Sequence, residues 1–321
     1  AFVVLIVAAA LIAPLVIPAE TFKGQLLTQV REATGREARI DGDFRIALLP
    51  RVQFVAGKVS FANAANGTAK TMVSVDRLNV QVALFPLFGG NLEIDAFVLE
   101  KPVISLEVDK AGKPNWVFDS GKKPAATASA PAAEKKSAGS GGSGLSGLKL
   151  GDVRLVDGQV TWSDARTGKT ERLDGINLKI ALPSLDSPMK ADGSLVWNKE
   201  KIALSLGMSN PNAFLSGRKT GVETKISAAP VTLSFKGTAA NGAKLTAGGA
   251  LDLDVPSIRK LAAWVGTPLT APGEGYGPLK ITGEVDVDGA KYAFRKAKLS
   301  VDKISGSGEV AFDGGRAKPL V

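Results

Sequence analysis

The chain has no histidine and no cysteine among its 321 residues. These side chains supply much of the acid–base, nucleophilic and metal-binding chemistry of enzymes. A zinc site would have to consist of carboxylates alone, which is unusual. We therefore expect a protein that is not an enzyme and that holds no metal or other cofactor. The lack of cysteine also excludes disulfide bonds.

Dense basic clusters are lacking as well, although the formal net charge is +9. Lysine and arginine are scattered, and no aromatic–basic motif such as an RRM signature accompanies them. We therefore expect no nucleic-acid partner. A mildly cationic surface beside anionic lipid headgroups is the simpler interpretation of the charge.

One uncharged hydrophobic run, from Phe2 to Ile17, opens the sequence. A membrane-spanning helix needs about 20 apolar residues, and we interpret residues 1–18 as an uncleaved transmembrane anchor. The alternative is a signal peptide, for which Pro18-Ala19-Glu20 would be a poor cleavage site. With the N-terminus inside, the bulk of the chain lies outside the membrane.

Residues 19–38 predict a short amphipathic helix that ends near Gly35. Its apolar residues recur at helical spacing: Phe22, Leu26, Leu27, Val30 and Ala33. This helix either packs on one end of a sheet, which we favour, or lies at the membrane interface and plugs one end of a groove.

The most informative pattern is the alternation from Asn91 to Asp109. Even positions are mostly apolar and odd positions mostly polar or charged, which predicts one long strand, or two nearly collinear strands, with a single apolar face. Similar alternation begins after Arg39, with phase changes between Phe54 and Val59, where we expect a bulge, and near Asp76. The apolar positions of the run are Leu92, Ile94, Ala96, Val98, Ile104, Leu106 and Val108.

The composition divides the remainder of the chain. Residues 39–119 form a first β-region, and residues 120–147, rich in Ala, Ser, Gly, Lys and Pro, predict a flexible linker. Residues 148–321 form a second β-region of antiparallel hairpins that we expect to continue beyond Val321. Within it, the segment from Pro256 to Gly266 predicts a helix, with proline at its start and glycine at its end.

Few motifs in the second β-region suggest chemistry. The acid pairs Asp252/Asp254 and Asp286/Asp288 could hold a cation, but an exposed strand face is the simpler interpretation.

The four tryptophans of the chain are interpreted as core or groove aromatics: Trp116, Trp162, Trp197 and Trp264.

The segment from Val80 to Trp116 resembles the amino-terminal signature of the AsmA family. Its parts are a strand, the corner Phe85-Pro86-Leu87-Phe88-Gly89, two alternating strands that flank Pro102, and a Gly-x-x-Asn-Trp turn that ends at Trp116. Residues 35–50 resemble the same family, and weaker similarity continues at residues 153–164 and 253–261. The resemblance brings no catalytic residues with it.

The predicted fold class is mainly β: an N-terminal transmembrane helix and a short amphipathic helix, followed by an extended antiparallel curled sheet. Its apolar face either packs against a second sheet as a sandwich or stays open as an apolar groove, which the resemblance favours. Candidate groove residues are Leu92, Ile94, Val98, Ile104, Leu106 and Val108.

The resemblance implies a single-pass inner-membrane protein with its bulk in the periplasm of a Gram-negative bacterium. We expect its partner to be phospholipid acyl chains, guided passively between inner and outer membrane in support of outer-membrane homeostasis. The alternative is a β-scaffold that assists or restrains outer-membrane protein assembly, with envelope proteins as partners and strand edges as the binding surface.

Overall fold

The computed structural model describes residues 19–47, 52–83, 93–118, 149–270, 272–273 and 275–314. The predicted anchor at residues 1–18 and the predicted linker at residues 120–147 lie outside these ranges. Among the helices of the described ranges, none is both long and apolar enough to cross a membrane.

The described residues are mainly β, as the sequence predicts. Three helices are present: α1 (Ala19–Thr34), α2 (Pro211–Leu215) and α3 (Ile258–Trp264). The strands are β1 (Ala38–Ile40), β2 (Phe44–Ala47), β3 (Val52–Ala62), β4 (Thr71–Val82), β5 (Glu93–Glu100), β6 (Val103–Val108), β7 (Lys149–Asp164), β8 (Lys169–Leu182), β9 (Met189–Trp197), β10 (Glu200–Met208), β11 (Thr220–Ala228), β12 (Val231–Asn241), β13 (Leu245–Val255), β14 (Leu279–Asp288), β15 (Lys291–Val301) and β16 (Ile304–Asp313).

The chain divides into two compact units, with the boundary inside β7 and β8. The first unit takes the described residues of Ala1–Ser146 and Arg154–Arg172. In it β1, β3, β4 and β5 are successive neighbours, β2 pairs with β3, and β6 pairs with β4. The pairing of β6 with β7 is parallel, so the predicted wholly antiparallel sheet is wrong at this point. A parallel pair needs a long connection, and residues 109–148 supply it.

The second unit takes the described residues of Gly147–Val153 and Leu173–Val321. Strands β8 to β16 lie in chain order, and each pairs antiparallel with its sequence neighbours. The predicted helix near Pro256 is confirmed as α3, which the Ser257 side chain caps by accepting a hydrogen bond from the N–H of Lys260.

Helix α1 packs against the sheet of the first unit through one side. The Phe22 ring stacks on Phe54 and Phe44, with centroids 5.5 and 6.5 Å apart. The helix ends at Thr34, and Gly35 follows with φ of 70°, its N–H donating to the Arg31 carbonyl at 2.8 Å. A positive φ after the last turn is the usual way a helix stops at glycine. This packing of α1 agrees with the first of the two predicted arrangements, in which the helix packs on the sheet.

Residues with positive φ lie within β3 and β7 and between β5 and β6. Lys58 (φ 51°), Lys101 (φ 48°) and Asp157 (φ 53°) stand where the apolar alternation changes phase. The Lys58 ammonium lies 2.9 Å from the carboxylate of Asp76 on β4, and this hydrogen bond, helped by the charge of Lys101, lowers the pKa of Asp76. The apolar phase does change near Val59 and Asp76, but the register of β3 with β4 does not shift between Val52 and Phe61. The bulge predicted between Phe54 and Val59 is therefore wrong, and a residue with positive φ stands there instead. The long alternating run forms two strands, both beside β4.

Candidate functional site: an apolar sheet face

The described residues predicted to line a groove lie on two strands of the first unit. Ile94 and Val98 belong to β5, whereas Ile104, Leu106 and Val108 belong to β6. All are half-buried except Val108, which is buried. Leu92 lies outside the described residues.

The residues of β5 do not share one face. Ile94 pairs with Val82 of β4, but the register shifts after it, so that Val98 pairs with Asn79. Cross-strand partners point to the same side of a sheet, and Val82 and Asn79 alternate to opposite sides of β4. The predicted single apolar face is therefore divided, because the extra residue in β5 changes which side the later residues point to.

The side of Ile94 is the one that α1 covers. The strand β5 adds Phe97 and Leu99 to it, which pair with Val80 and Leu78, and Val80 in turn pairs with Phe54, on which Phe22 of α1 stacks. The sequence prediction left Phe97 and Leu99 out because they stand at odd positions.

The β6 residues lie between β4 and β7. Ile104 pairs with Val73 of β4. On the other edge of β6, Leu106 lies beside Trp162 of β7.

The Gly-x-x-Asn-Trp turn of the AsmA signature depends on a buried amide. The Asn115 side chain is 4% exposed and donates to the Asn63 Oδ1 and the Ser105 carbonyl, both at 2.8 Å, while its oxygen accepts from the N–H of Glu107. The Glu107 carboxylate accepts from the N–H groups of Thr68 and Ala69 in the opposite loop. Burial acts to raise the pKa of Glu107, but these hydrogen bonds outweigh it and the pKa is lowered. The motif is therefore structural.

A long apolar surface runs across the strands of the second unit. The strand registers align residues of β8 to β15 in rows, and adjacent rows point to opposite sides. One row is apolar throughout: Leu178, Gly193, Leu204, Ile226, Leu233, Leu253, Ile281 and Leu299. The next row is polar throughout: Lys179, Asp192, Ser205, Lys225, Ser234, Asp252, Thr282 and Lys298. We call the side of the first row the apolar face and the other side the polar face.

Ion pairs between neighbouring strands cover the polar face. The Lys280 ammonium lies 3.0 Å from Asp254, and this hydrogen bond raises the pKa of Lys280. Lys296 lies 2.8 Å from Glu284 and lowers its pKa. Both shifts favour the charged forms, so this side stays ionised and faces water. The acid pairs of the sequence thus lie on a strand face and pair with cations, and no group of three or more acidic residues among the described ones could hold a metal.

Glycines bend the second unit towards its apolar face. Gly237 and Gly249 pair directly, and a Cβ built on Gly237 would lie 2.2 Å from the Gly248 carbonyl oxygen. A Cβ on Gly193 would lie 2.2 Å from the carbonyl oxygen of Asn177. Neighbouring strands approach this closely only where a sheet folds sharply towards that side, which glycine permits.

The polar face has room for a side chain at a comparable position. A Cβ on Gly207, which pairs with Lys190 and Glu223, would meet its nearest atom at 3.9 Å. The apolar face is therefore the concave side of these bends and the polar face the convex side.

The concave face is partly open. Ile226 is 37% exposed, Leu299 44% and Val310 49%. Every strand of the described second unit belongs to one sheet, so the sandwich alternative does not describe it. An apolar, concave and partly exposed surface can hold a long apolar chain.

Sequence reasoning placed the candidate site in the first β-region and missed this one. The signal was available, because Ile202, Leu204, Leu206 and Met208 alternate with polar or small residues as clearly as the run at Asn91–Asp109 does.

Comparison with known proteins agrees with these features. The AsmA family model matches residues 1–271, more than half of the chain, and the chain therefore belongs to the AsmA family. This confirms the resemblance and is consistent with a role in the bacterial envelope. One curated relative, Protein AsmA of Escherichia coli (strain K12), is 29% identical over 85 residues, which span 26% of this chain and 14% of that protein. No solved structure matches the chain.

Proposed function

We propose that this protein binds the acyl chains of phospholipids on the apolar face of the second unit and guides them between the inner and outer membranes. It does so from an anchor in the inner membrane, with its bulk in the periplasm, and no residue acts as a catalyst. The observation that carries the proposal is the strict separation of an apolar concave face from a charged convex face on the same strands.

The energetics favour such an occupant. Each methylene removed from water contributes about 0.8 kcal/mol, so a chain of several methylenes seated on this face would bind substantially. The residues that would receive it are half-exposed, which leaves apolar area for a ligand to cover. A charged headgroup could stay in water at the open margin.

Photocrosslinking of the full chain in bacterial envelopes tests the proposal. A benzoyl-phenylalanine replaces Leu204, which points to the apolar face, and in a matched control replaces its neighbour Ser205, whose hydroxyl donates to Asp192 on the polar face. With radiolabelled phosphate in the growth medium, we expect the probe at position 204 to capture labelled phospholipid and the probe at 205 to capture far less.

Other outcomes separate the alternatives. Equal lipid capture at both positions would mean nonspecific contact with membrane and would contradict the proposal. Capture of a discrete protein at position 204, without lipid, would favour the assembly scaffold.

A further inference from the structure

Helix α3 reaches across one end of the second unit. It follows directly after β13, yet its last residue, Trp264, contacts Trp197 at the end of β9. In the sheet these strands are four positions apart, which is about 19 Å at 4.8 Å per strand. A helix of seven residues is about 10 Å long, so α3 and its flanking residues span the ends of β10, β11 and β12.

The contacts place α3 over the apolar face. Trp197 alternates with Gly193 and so points to that face, and its ring meets the Trp264 ring edge-on with centroids 4.8 Å apart. Val255, which shares the face through its pairing with Leu279, is 0% exposed, although Leu299 on the same face is 44% exposed. The residue of the face nearest to the start of α3 is therefore covered.

Two hydrogen bonds hold the far end of α3. The Trp264 indole N–H donates to the Trp197 carbonyl at 3.0 Å, and the Asn198 side-chain amide donates to the Trp264 carbonyl at 2.8 Å. We call Trp197, Asn198 and Trp264 the latch.

Apart from the latch, α3 is held at its first turn, where the N–H groups of Ile258 and Arg259 donate to the carbonyls of Gly277 and Tyr276 at 2.8 and 3.1 Å. The Arg259 guanidinium donates to the carbonyls of Gly275 and Gly273, both at 2.8 Å. These bonds hold the end of α3 opposite the latch, and the helix itself is not buried.

No residue of α3 is buried, whereas α2 buries Pro211 and Ala213. Gly266 and Gly273 follow α3 with φ of 82° and 97°, and such residues can absorb changes in backbone direction. Elements with few buried contacts and exposed hydrogen bonds open at lower free energy than a core strand does.

We propose that α3 is a movable closure of the apolar face. With the latch formed, it blocks passage beyond the ends of β9 to β13; with the latch broken, an acyl chain slides past this end. The inference rests on the proposed function, since it assigns α3 the control of movement along the same face.

The test breaks the latch without making a large cavity. Trp264→Phe removes the indole N–H, and Asn198→Gly removes the amide while suiting the positive φ of 46° at that position. The matched control combines Trp116→Phe, in the first unit, with Lys199→Gly, in the same turn as Asn198. Each full-length protein is placed in vesicles of phosphatidylethanolamine and phosphatidylglycerol that contain pyrene-labelled phosphatidylglycerol.

Two readouts are measured: hydrogen exchange of the α3 amides, and the rate at which pyrene lipid moves to acceptor vesicles. We expect the latch variant to speed both about tenfold, equivalent to about 1.4 kcal/mol, and the control to match the unaltered protein. If hydrogen exchange of the α3 amides is unchanged, or if it is faster without faster lipid transfer, the proposed role of α3 is overturned but the proposed function is not. If no form of the protein transfers lipid faster than protein-free vesicles do, both the proposed function and the role of α3 are overturned.

Discussion

The bend at the Gly237–Gly249 pair of the second unit can be tested by adding a single methyl group. In Gly237→Ala the new Cβ would lie 2.2 Å from the Gly248 carbonyl oxygen and 2.7 Å from the Cα of Gly249. The first distance is roughly 1 Å short of van der Waals contact, and the atoms that must move are backbone. Forced overpacking typically costs about 1–3 kcal/mol, so we expect Gly237→Ala to lower the free energy of unfolding by about that amount.

A matched glycine-to-alanine change on the convex side should alter the free energy of unfolding in the opposite direction. In Gly207→Ala the Cβ meets nothing closer than 3.9 Å. Replacing glycine at a compatible position removes conformational freedom from the unfolded chain and stabilises by about 0.4–1 kcal/mol. The two variants add the same atom to two strands of one sheet, β12 and β10.

Urea unfolding followed by tryptophan fluorescence distinguishes them, because Trp197 and Trp264 report on this unit. At a typical slope of 1–3 kcal/mol per M, we expect the midpoint of Gly237→Ala to fall by about 1 M and that of Gly207→Ala to stay or rise. Equal midpoints would refute the view that the sheet folds sharply towards its apolar face. In the photocrosslinking assay, Gly237→Ala should also reduce lipid capture at residue 204.

Three further predictions concern the first unit. Asn115→Ala should cost about 2–3 kcal/mol in urea unfolding, because it leaves buried backbone groups without partners; a loss below 1 kcal/mol would contradict the structural role of the signature turn. Hydrogen bonds from Arg166 lower the pKa of Asp164 to about 2, below its unfolded value of about 3.9, so their stabilisation is present above pH 4 and lost as the pH falls towards 2. The urea midpoints of the natural protein and of Arg166→Met should therefore differ at neutral pH and converge near pH 2. A difference that persists at pH 2 would mean that Arg166 stabilises the protein through packing and not through its hydrogen bonds to Asp164. Ile94→Asp should lower the urea midpoint much more than Ile94→Ala, because Ile94 lies on the side of the sheet that α1 covers. If β6 carries acyl chains as the sequence predicts, Leu106→Asp should remove lipid from the first unit in native mass spectrometry.

The local architecture could be predicted from sequence because it depends on periodicity and on residues with strong backbone preferences. Alternation predicts the strands, Gly35 predicts the end of α1, and Pro256 with Gly266 predicts α3. The phase changes are visible too, although their cause is not. Lysine has no particular preference for positive φ, so nothing at Lys58 or Lys101 distinguishes a left-handed residue from a bulge.

The candidate site was harder to predict because it depends on register. Each of Gly237 and Gly249 appears as an ordinary strand glycine, and their pairing emerges only when β12 meets β13. The shift in β5 leaves the polar–apolar pattern intact while changing the side of Ile94 relative to Val98. The contact between Trp197 and Trp264 joins residues 67 positions apart, a separation over which pattern carries no information.

The chain-order pairing of β8 to β16 makes the second unit modular. Each strand depends on its immediate neighbours, so stability is approximately a sum over adjacent pairs, as it is in repeat proteins. Inserting or deleting one hairpin would lengthen or shorten the sheet by about 10 Å without requiring distant strands to change partners. A protein built in this way can gain or lose length along its apolar face by duplication or deletion of hairpins alone.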